Sequence, residues 1–335
     1  MGRISKEKLL AKYFSEGFES FFESRGEEFT GKFKVTSDES RLLRFREIFN
    51  ADDLKRTHYE RVIGGQGNEK EKIDAVYSSS LQSYVFFNRV DKDHPITIPF
   101  EDGPMTFTKV LFEFKNKVIK YPSSIDVVLV NEETRSICFI ESKLFEIVRD
   151  SNEDGNKVIG ISYFKAKSQD IKHHNIGYQE TLHLELSDLD KMGIKHPGCF
   201  LEKVNGNDSE KCSIIPIGRN KYVYSEGIKQ VLSHMIGILN FKKEMLEDTD
   251  LKPYNFDHYY YLELYNELPH LENKIIDARE KINNFVEHFK EVQKILEDKI
   301  NHEVKIAIMS YQELFADESN QQVVNETILK YYKVK

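Results

Sequence analysis

Apolar positions recur at helical spacing near both ends of the chain and at strand-like spacing in its middle. In residues 1–30, Leu9, Leu10, Tyr13, Phe14, Phe18, Phe21 and Phe22 fit one face of an amphipathic helix that packs on the core or docks a partner. A second helical stretch covers 40–61. Ser78, Ser79 and Ser80 offer an N-cap to a helix over 81–90, with Leu81, Val85 and Phe86 turned inward. Residues 91–108 hold three prolines and an Asp-Gly pair, so they read as a loop or an edge hairpin. Later, Ile228, Val231, Leu232, Met235, Ile236 and Leu239 mark a helix over 225–241. Residues 258–264 read as a strand. Ile275, Ala278, Ile282, Phe285, Phe289, Val292 and Leu296 then repeat at steps of three and four. That long helix either covers a sheet or forms the seam of a homodimer. A last strand is expected over 304–309 and a polar tail helix over 320–335.

Between these helices, 110–114, 125–130 and 137–143 are β-branched or aromatic runs bounded by polar clusters, which predicts three consecutive strands. Glu113, Asp126, Glu141 and Lys143 sit inside them, where burial favours apolar side chains. If 131–136 turns the chain with Val130 opposite Ile137, Asp126 faces Glu141 with Cβ atoms about 5 Å apart. Alternation puts Glu141 and Lys143 on one face and turns Ile140 and Ser142 away. A turn through 118–121 brings Glu113 beside Asp126. Three carboxylates so close repel unless a cation or a shared proton relieves them. A hard divalent ion suits them, because Mg²⁺ takes one or two carboxylates together with water and phosphate oxygens.

Ile125-Asp126 followed by Ile140-Glu141-Ser142-Lys143 resembles the Asp…Glu-x-Lys signature of the PD-(D/E)XK, or restriction-endonuclease-like, nuclease superfamily. Gly65-Gln66-Gly67-Asn68-Glu69, Tyr77-Ser78-Ser79-Ser80 and Phe87-Asn88 resemble the opening of one group of bacterial proteins in it, regarded as restriction endonucleases. The Gln230…His234 pair and Ser310-Tyr311-Gln312-Glu313-Leu314 extend the likeness, which runs from roughly residue 60 to 316. The proline that often precedes the first metal-binding aspartate is absent, and Ser124-Ile125 stands there instead. The resemblance implies an α/β fold with a mixed central sheet flanked by helices, a helical N-terminal extension (1–60), a core (61–316) with an insertion near 149–218, and a C-terminal tail (317–335). It also implies that Asp126 and Glu141, with Glu113, hold Mg²⁺ or Mn²⁺, and that Lys143 stands beside the attacking water. Glu69 and Gln230 join the site on the same ground, and Glu146 matches an acidic position of that group.

Composition narrows the picture. The chain of 335 residues is 39% hydrophobic and 12% aromatic, enough to bury a core. Its three cysteines include no CxxC pair, which points to a reducing cytosol. No apolar run spans a membrane, and the first residues lack a secretory h-region, so a cytoplasmic protein is expected. A net charge of −8 argues against nonspecific coating of nucleic acid. Arg41, Arg44, Arg46, Lys55, Arg56 and Arg61 concentrate positive charge in 40–61, either facing phosphate or forming a solvated face offset by Glu47, Asp52 and Asp53. His173, His174, His196, Cys199 and Cys212 raise a zinc site, but their spacing matches no usual closed one. The expectation is a metal-dependent nuclease acting on DNA, restriction or defence endonucleases included. The alternative is an idle nuclease-fold protein that binds nucleic acid or serves assembly.

Overall fold

Strands 125–130 and 137–140 are apolar at nearly every position, the mark of strands covered on both faces. Val127–Val130 and Ile137–Ile140 are each 0% exposed. The computed structural model of the chain describes residues 9, 12–14, 16, 22–27, 33, 37–64, 69–75, 77–118, 122–148, 157–160, 178–192, 194–204, 207–214, 225–244, 255–269, 271 and 278–335.

The helices that matter here are α1 (Asp38–Phe49), α2 (Arg56–Ile63), α3 (Ser79–Phe87), α4 (Ser225–Glu244) and α5 (Ala278–Lys299). The strands are β1 (Ile96–Phe100), β2 (Gly103–Phe107), β3 (Lys109–Lys117), β4 (Pro122–Asn131), β5 (Ser136–Lys143), β6 (Lys157–Gly160), β7 (Ile194–Val204), β8 (Asn207–Ile214), β9 (His258–Tyr265) and β10 (Lys305–Ser310). Five of them form a mixed sheet in the order β10-β9-β5-β4-β3. The β3–β4 and β4–β5 pairs are antiparallel, whereas β9 runs parallel to β5 and β10 parallel to β9. Parallel neighbours need a crossover; α4 lies in the β5–β9 connection and α5 in the β9–β10 connection. Helices cover both faces. Phe241 of α4 meets Phe114 and Phe139 on one side, while on the other His58 of α2 and Tyr84 of α3 meet Phe112. The expected α/β class and mixed sheet flanked by helices are therefore present.

Several elements differ from expectation. The stretch 40–61 is two helices, because Asn50 takes a left-handed conformation (φ 49°) and closes α1 onto Arg46 and Glu47. Ser37 and Ser40 box the start of α1. Residues 96–107 form a two-stranded antiparallel hairpin, the second of the two forms expected there. The region 149–218 holds short helices at Tyr178–Thr181 and Leu186–Lys191, and also an antiparallel sheet of order β6-β8-β7, which its polar sequence does not announce.

Residues 320–335 are not one polar tail helix. They form part of two short helices, Glu318–Gln321 and Glu326–Tyr331, with Val323, Val324, Ile328, Leu329, Tyr331 and Tyr332 buried. Asn320 ties them to β1, accepting from Thr97 N (2.8 Å) and donating to Thr97 O (2.7 Å). Phe14 meets Tyr331 and Tyr332, so this N-terminal aromatic packs on the layer, whereas Phe22 meets Phe33. Leu10, Phe18 and Phe21 lie outside the described residues. The stripe Ile282, Phe285, Phe289, Val292 and Leu296 of α5 is buried against the chain itself, the simpler of its two expected roles. Among the described residues no helix is long and apolar enough to cross a membrane.

Candidate functional site: a buried carboxylate–lysine cluster

The turn after β4 is set locally. Asn131 Oδ1 accepts from Glu133 N (2.9 Å) and Thr134 N (3.1 Å), an Asx turn that starts the return. Val130 then pairs with Ile137, the expected register, and the ladder continues to Val127 with Ile140. One step further puts Asp126 against Glu141, and Asp126 Oδ2 accepts from Ser142 N at 2.8 Å. On the other side of β4, Phe112 pairs with Val127 and Phe114 with Ile125, leaving Glu113 against Asp126. The parallel β5–β9 ladder adds a residue that was not foreseen, for Glu141 pairs with Glu263. Four carboxylates thus occupy successive positions across four strands.

Glu113 breaks its strand. Its φ is +49°, a region that non-glycine residues seldom adopt and that costs of order 1 kcal/mol or more. The kink resets the alternation of β3. Phe112 faces α2 and α3, yet Phe114, two residues on, faces α4. A regular strand would send both the same way. Glu113 Oε2 accepts from Ser124 Oγ at 2.7 Å, which fixes the carboxylate beside β4.

Helix α4 covers this face closely. A Cβ on Gly237 would stand 2.7 Å from Asn116 Cβ, so glycine permits the helix to approach β3. From α4, Gln230 Oε1 accepts from Lys143 Nζ (2.8 Å) and His234 Nδ1 meets Ser123 Oγ (2.6 Å). Lys143 Nζ also donates to Glu141 Oε1 at 2.7 Å and lies 4.0 Å from Glu263 Oε1. Glu141 Oε2 stands 3.1 Å from His234 Nε2, but neither atom has a well-aligned hydrogen-bond partner among the described residues. Glu141, Lys143, His234 and Glu263 are all at most 5% exposed.

The acids differ sharply in proton affinity. Burial alone would raise Glu141, but Lys143 and His234 outweigh it and hold the carboxyl at about 2. Asp126 goes the other way: burial, then the charges of Glu141 and Glu113, push it well above the ordinary carboxylate range. Burial likewise carries Glu263 up to about 7, with Lys143 opposing and Glu141 assisting. Tyr261 donates its hydroxyl to Glu263 Oε2 at 2.6 Å. Carboxyls pushed apart in this way are the pattern of groups with distinct roles in one site.

The structure brings together Glu113, Asp126, Glu141, Lys143 and Gln230. Glu69 opens a helical turn, Glu69–Lys72, but its side chain and residues 65–68 lie outside the described residues. Glu146 plays a structural part, since its Oε2 accepts from Leu144 N and Phe145 N, and its Oε1 accepts from Ser79 Oγ. The Ser310…Glu313 string is a capping box that turns β10 into the next helix. Asn88 holds the backbone of residues 53 and 55. Most of the cations in 40–61 are spent internally, Arg41 on Asp74 and Asp38, Arg44 on Glu27, and Arg46 on a carbonyl. His173 and His174, and the side chains of His196, Cys199 and Cys212, lie outside the described residues.

Sequence reasoning missed Glu263, although a signal was present. A glutamate inside His258–Tyr265, otherwise aromatic and aliphatic, meets the same criterion that singled out Glu113 and Glu141. No family model, curated protein or solved structure matches the chain. Among the described residues no group of three or more His, Cys, Asp or Glu side chains stands at metal-holding spacing. What favours a cation is a buried Glu141 oxygen without an aligned partner, next to an aspartate that burial and then its acidic neighbours drive toward protonation.

Proposed function

We propose that the chain is a metal-dependent nuclease of restriction-endonuclease-like fold that hydrolyses phosphodiester bonds of DNA, in a restriction or defence role. The reading rests on one observation: Asp126, Glu141, Glu113 and Lys143 converge on one face of neighbouring strands. Asp126 and Glu141 would hold Mg²⁺ or Mn²⁺, with Glu113 assisting. Bound there, the ion would lower the pKa of a water and offset charge developing on the phosphoryl oxygens. Lys143 supplies an ammonium that orients or polarises the attacking water. Gln230 fixes the direction of that ammonium from α4, and Glu263, held by Tyr261, sets its field from the neighbouring strand β9.

Glu141→Gln is the suited test, because truncation to alanine would strand the buried Lys143 and cost about 3–5 kcal/mol of stability. The glutamine variant should stay folded and fail to nick plasmid or oligonucleotide DNA with Mg²⁺ or Mn²⁺. Wild-type cleavage that persists in EDTA sinks the proposal.

A second reading, an idle nuclease fold that binds nucleic acid or serves assembly, is favoured by Lys143 engaging Glu141 and by the lack of a three-ligand group among the described residues. Thermal shift separates the two. A cation at about 100 times its Kd stabilises by about 2.7 kcal/mol. Stabilisation by Mg²⁺, Mn²⁺ or Ca²⁺ that disappears in Asp126→Asn supports the enzyme, whereas no shift with inert cleavage assays supports the idle fold.

A further inference from the structure

Strand β3 is the edge of the five-stranded sheet, and a cleft of about 420 Å³ lies between it and α2. Lys55, Arg61 and Lys109 line the cleft with Asp91 as the one acid, so it is locally positive in a chain of net charge −8. Its floor is apolar, formed by Val90, Val110 and Leu111. The cations come from two separate elements. Lys55 is 3.3 Å from Asp91 and Lys109 is 3.6 Å from Glu132, distances long enough for either pairing to be exchanged for a stronger one. Helix α2 begins here without a side-chain cap, which leaves the positive end of its dipole turned to the same space.

His58 lines the same cleft, its ring 5.3 Å from that of Phe112 on the floor side. Burial, then the charges of Lys55 and Arg61, lower its pKa, with Asn88 opposing. Along β3, Lys109 precedes Glu113 by four residues, or roughly 13 Å at the strand rise. The cleft lies on the α2 side of β3 and the cluster on the α4 side, so a nucleic-acid strand wrapping round the β3 edge would reach both.

We infer that this cleft is a phosphate-binding subsite that holds the backbone of a nucleic acid beside the carboxylate cluster. The choice of a nucleic-acid ligand rests on the nuclease reading; the anion site itself stands on the cleft.

The test is fluorescence anisotropy with a short single-stranded DNA in EDTA, so that cleavage plays no part, across a salt series. The double variant Arg61→Ala/Lys109→Ala should bind roughly tenfold or more weakly. Its log K against log salt should be shallower by about 1.4, or ~0.7 for each phosphate no longer neutralised. Lys330→Ala, an exposed cation elsewhere, should leave both quantities unchanged, and matching circular-dichroism melts confirm the fold of each variant. Unchanged affinity and slope in the double variant overturn the inference. So does a wild-type protein that binds no DNA, or one that takes inorganic phosphate through Arg61 while ignoring DNA. Cleavage with Mg²⁺ separates the two proposals. Cleft-dependent binding without cleavage retains the cleft and removes the nuclease; cleavage with a double variant of wild-type affinity does the reverse.

Discussion

Glu263→Gln should make the protein more stable, and the gain should depend on pH. The wild-type carboxyl is carried from an ordinary 4.5 to about 7 on folding, because burial strips its hydration faster than Lys143 at 4.0 Å restores it. At ~1.36 kcal/mol per pH unit, folding with this group ionised costs about 3 kcal/mol above pH 7. The sign follows from proton counting. Between pH 4.5 and 7 the unfolded chain has released the proton and the folded one keeps it, so wild-type stability falls as pH rises through that window. Glutamine does not titrate, and its carbonyl can still accept from Tyr261, which in the wild type donates to Glu263 Oε2. The advantage of the variant should grow from about 1 kcal/mol near pH 5 to about 3 kcal/mol near pH 8, a divergence in Tm of roughly 5 °C. Urea unfolding in EDTA at both pH values measures it. A stability difference that stays flat with pH would mean that no proton distinguishes the folded from the unfolded carboxyl, and the raised pKa would be wrong.

Gly237→Ala should destabilise by about 1–3 kcal/mol despite the better helix propensity of alanine, since its Cβ meets Asn116 Cβ at 2.7 Å; denaturant melts read this directly. On the proposed nuclease reading DNA cleavage should fall with it, because α4 carries Gln230 and His234. At Glu113, glycine should be more stable than alanine by about 1 kcal/mol, the reverse of the usual strand order, while neither restores the carboxylate. Equal melts for the two Glu113 variants would mean that the left-handed backbone carries no strain.

The site was legible where it depended on strand period and turn length. A six-residue polar stretch between two apolar runs fixed Val130 opposite Ile137, and that single pairing decided that Asp126 meets Glu141. Ser78 as an N-cap and the inward stripes of α3 and α4 were readable for the same reason, as local patterns with one physical solution. Long-range facts were hidden. Nothing local marks Glu113 for φ +49°, since that conformation is imposed by the strand partners and by Ser124. Burial of Glu141 and Lys143 comes from α4, which lies more than eighty residues away in sequence, as does the Gln230 hydrogen bond. The polar look of 320–335 misled because its few apolar residues are nearly all buried, with Tyr331 and Tyr332 packed on Phe14, Phe49 and Phe86.

The cluster is hard to explain as a structural device alone. A sheet that needed only stability would fill these positions with aliphatic side chains, because replacing buried ion pairs by packed apolar residues is often neutral or stabilising. Here one lysine serves two buried carboxyls, a third is driven toward protonation, and a fourth rests on a strained backbone. Each unfavourable feature opposes folding separately, and all lie within one or two strands of Asp126 along the same row. Strain and unbalanced charge gathered at one point, while the surrounding core is aliphatic and aromatic, imply a demand other than folding. A doubly charged cation would meet that demand chemically: Asp126 in place of its proton, the unaligned Glu141 oxygen and Glu113 would be the groups to hold it. If cations leave the melting curve untouched, the demand must be met by a cationic partner instead, and the carboxylates become a recognition surface rather than a catalytic one.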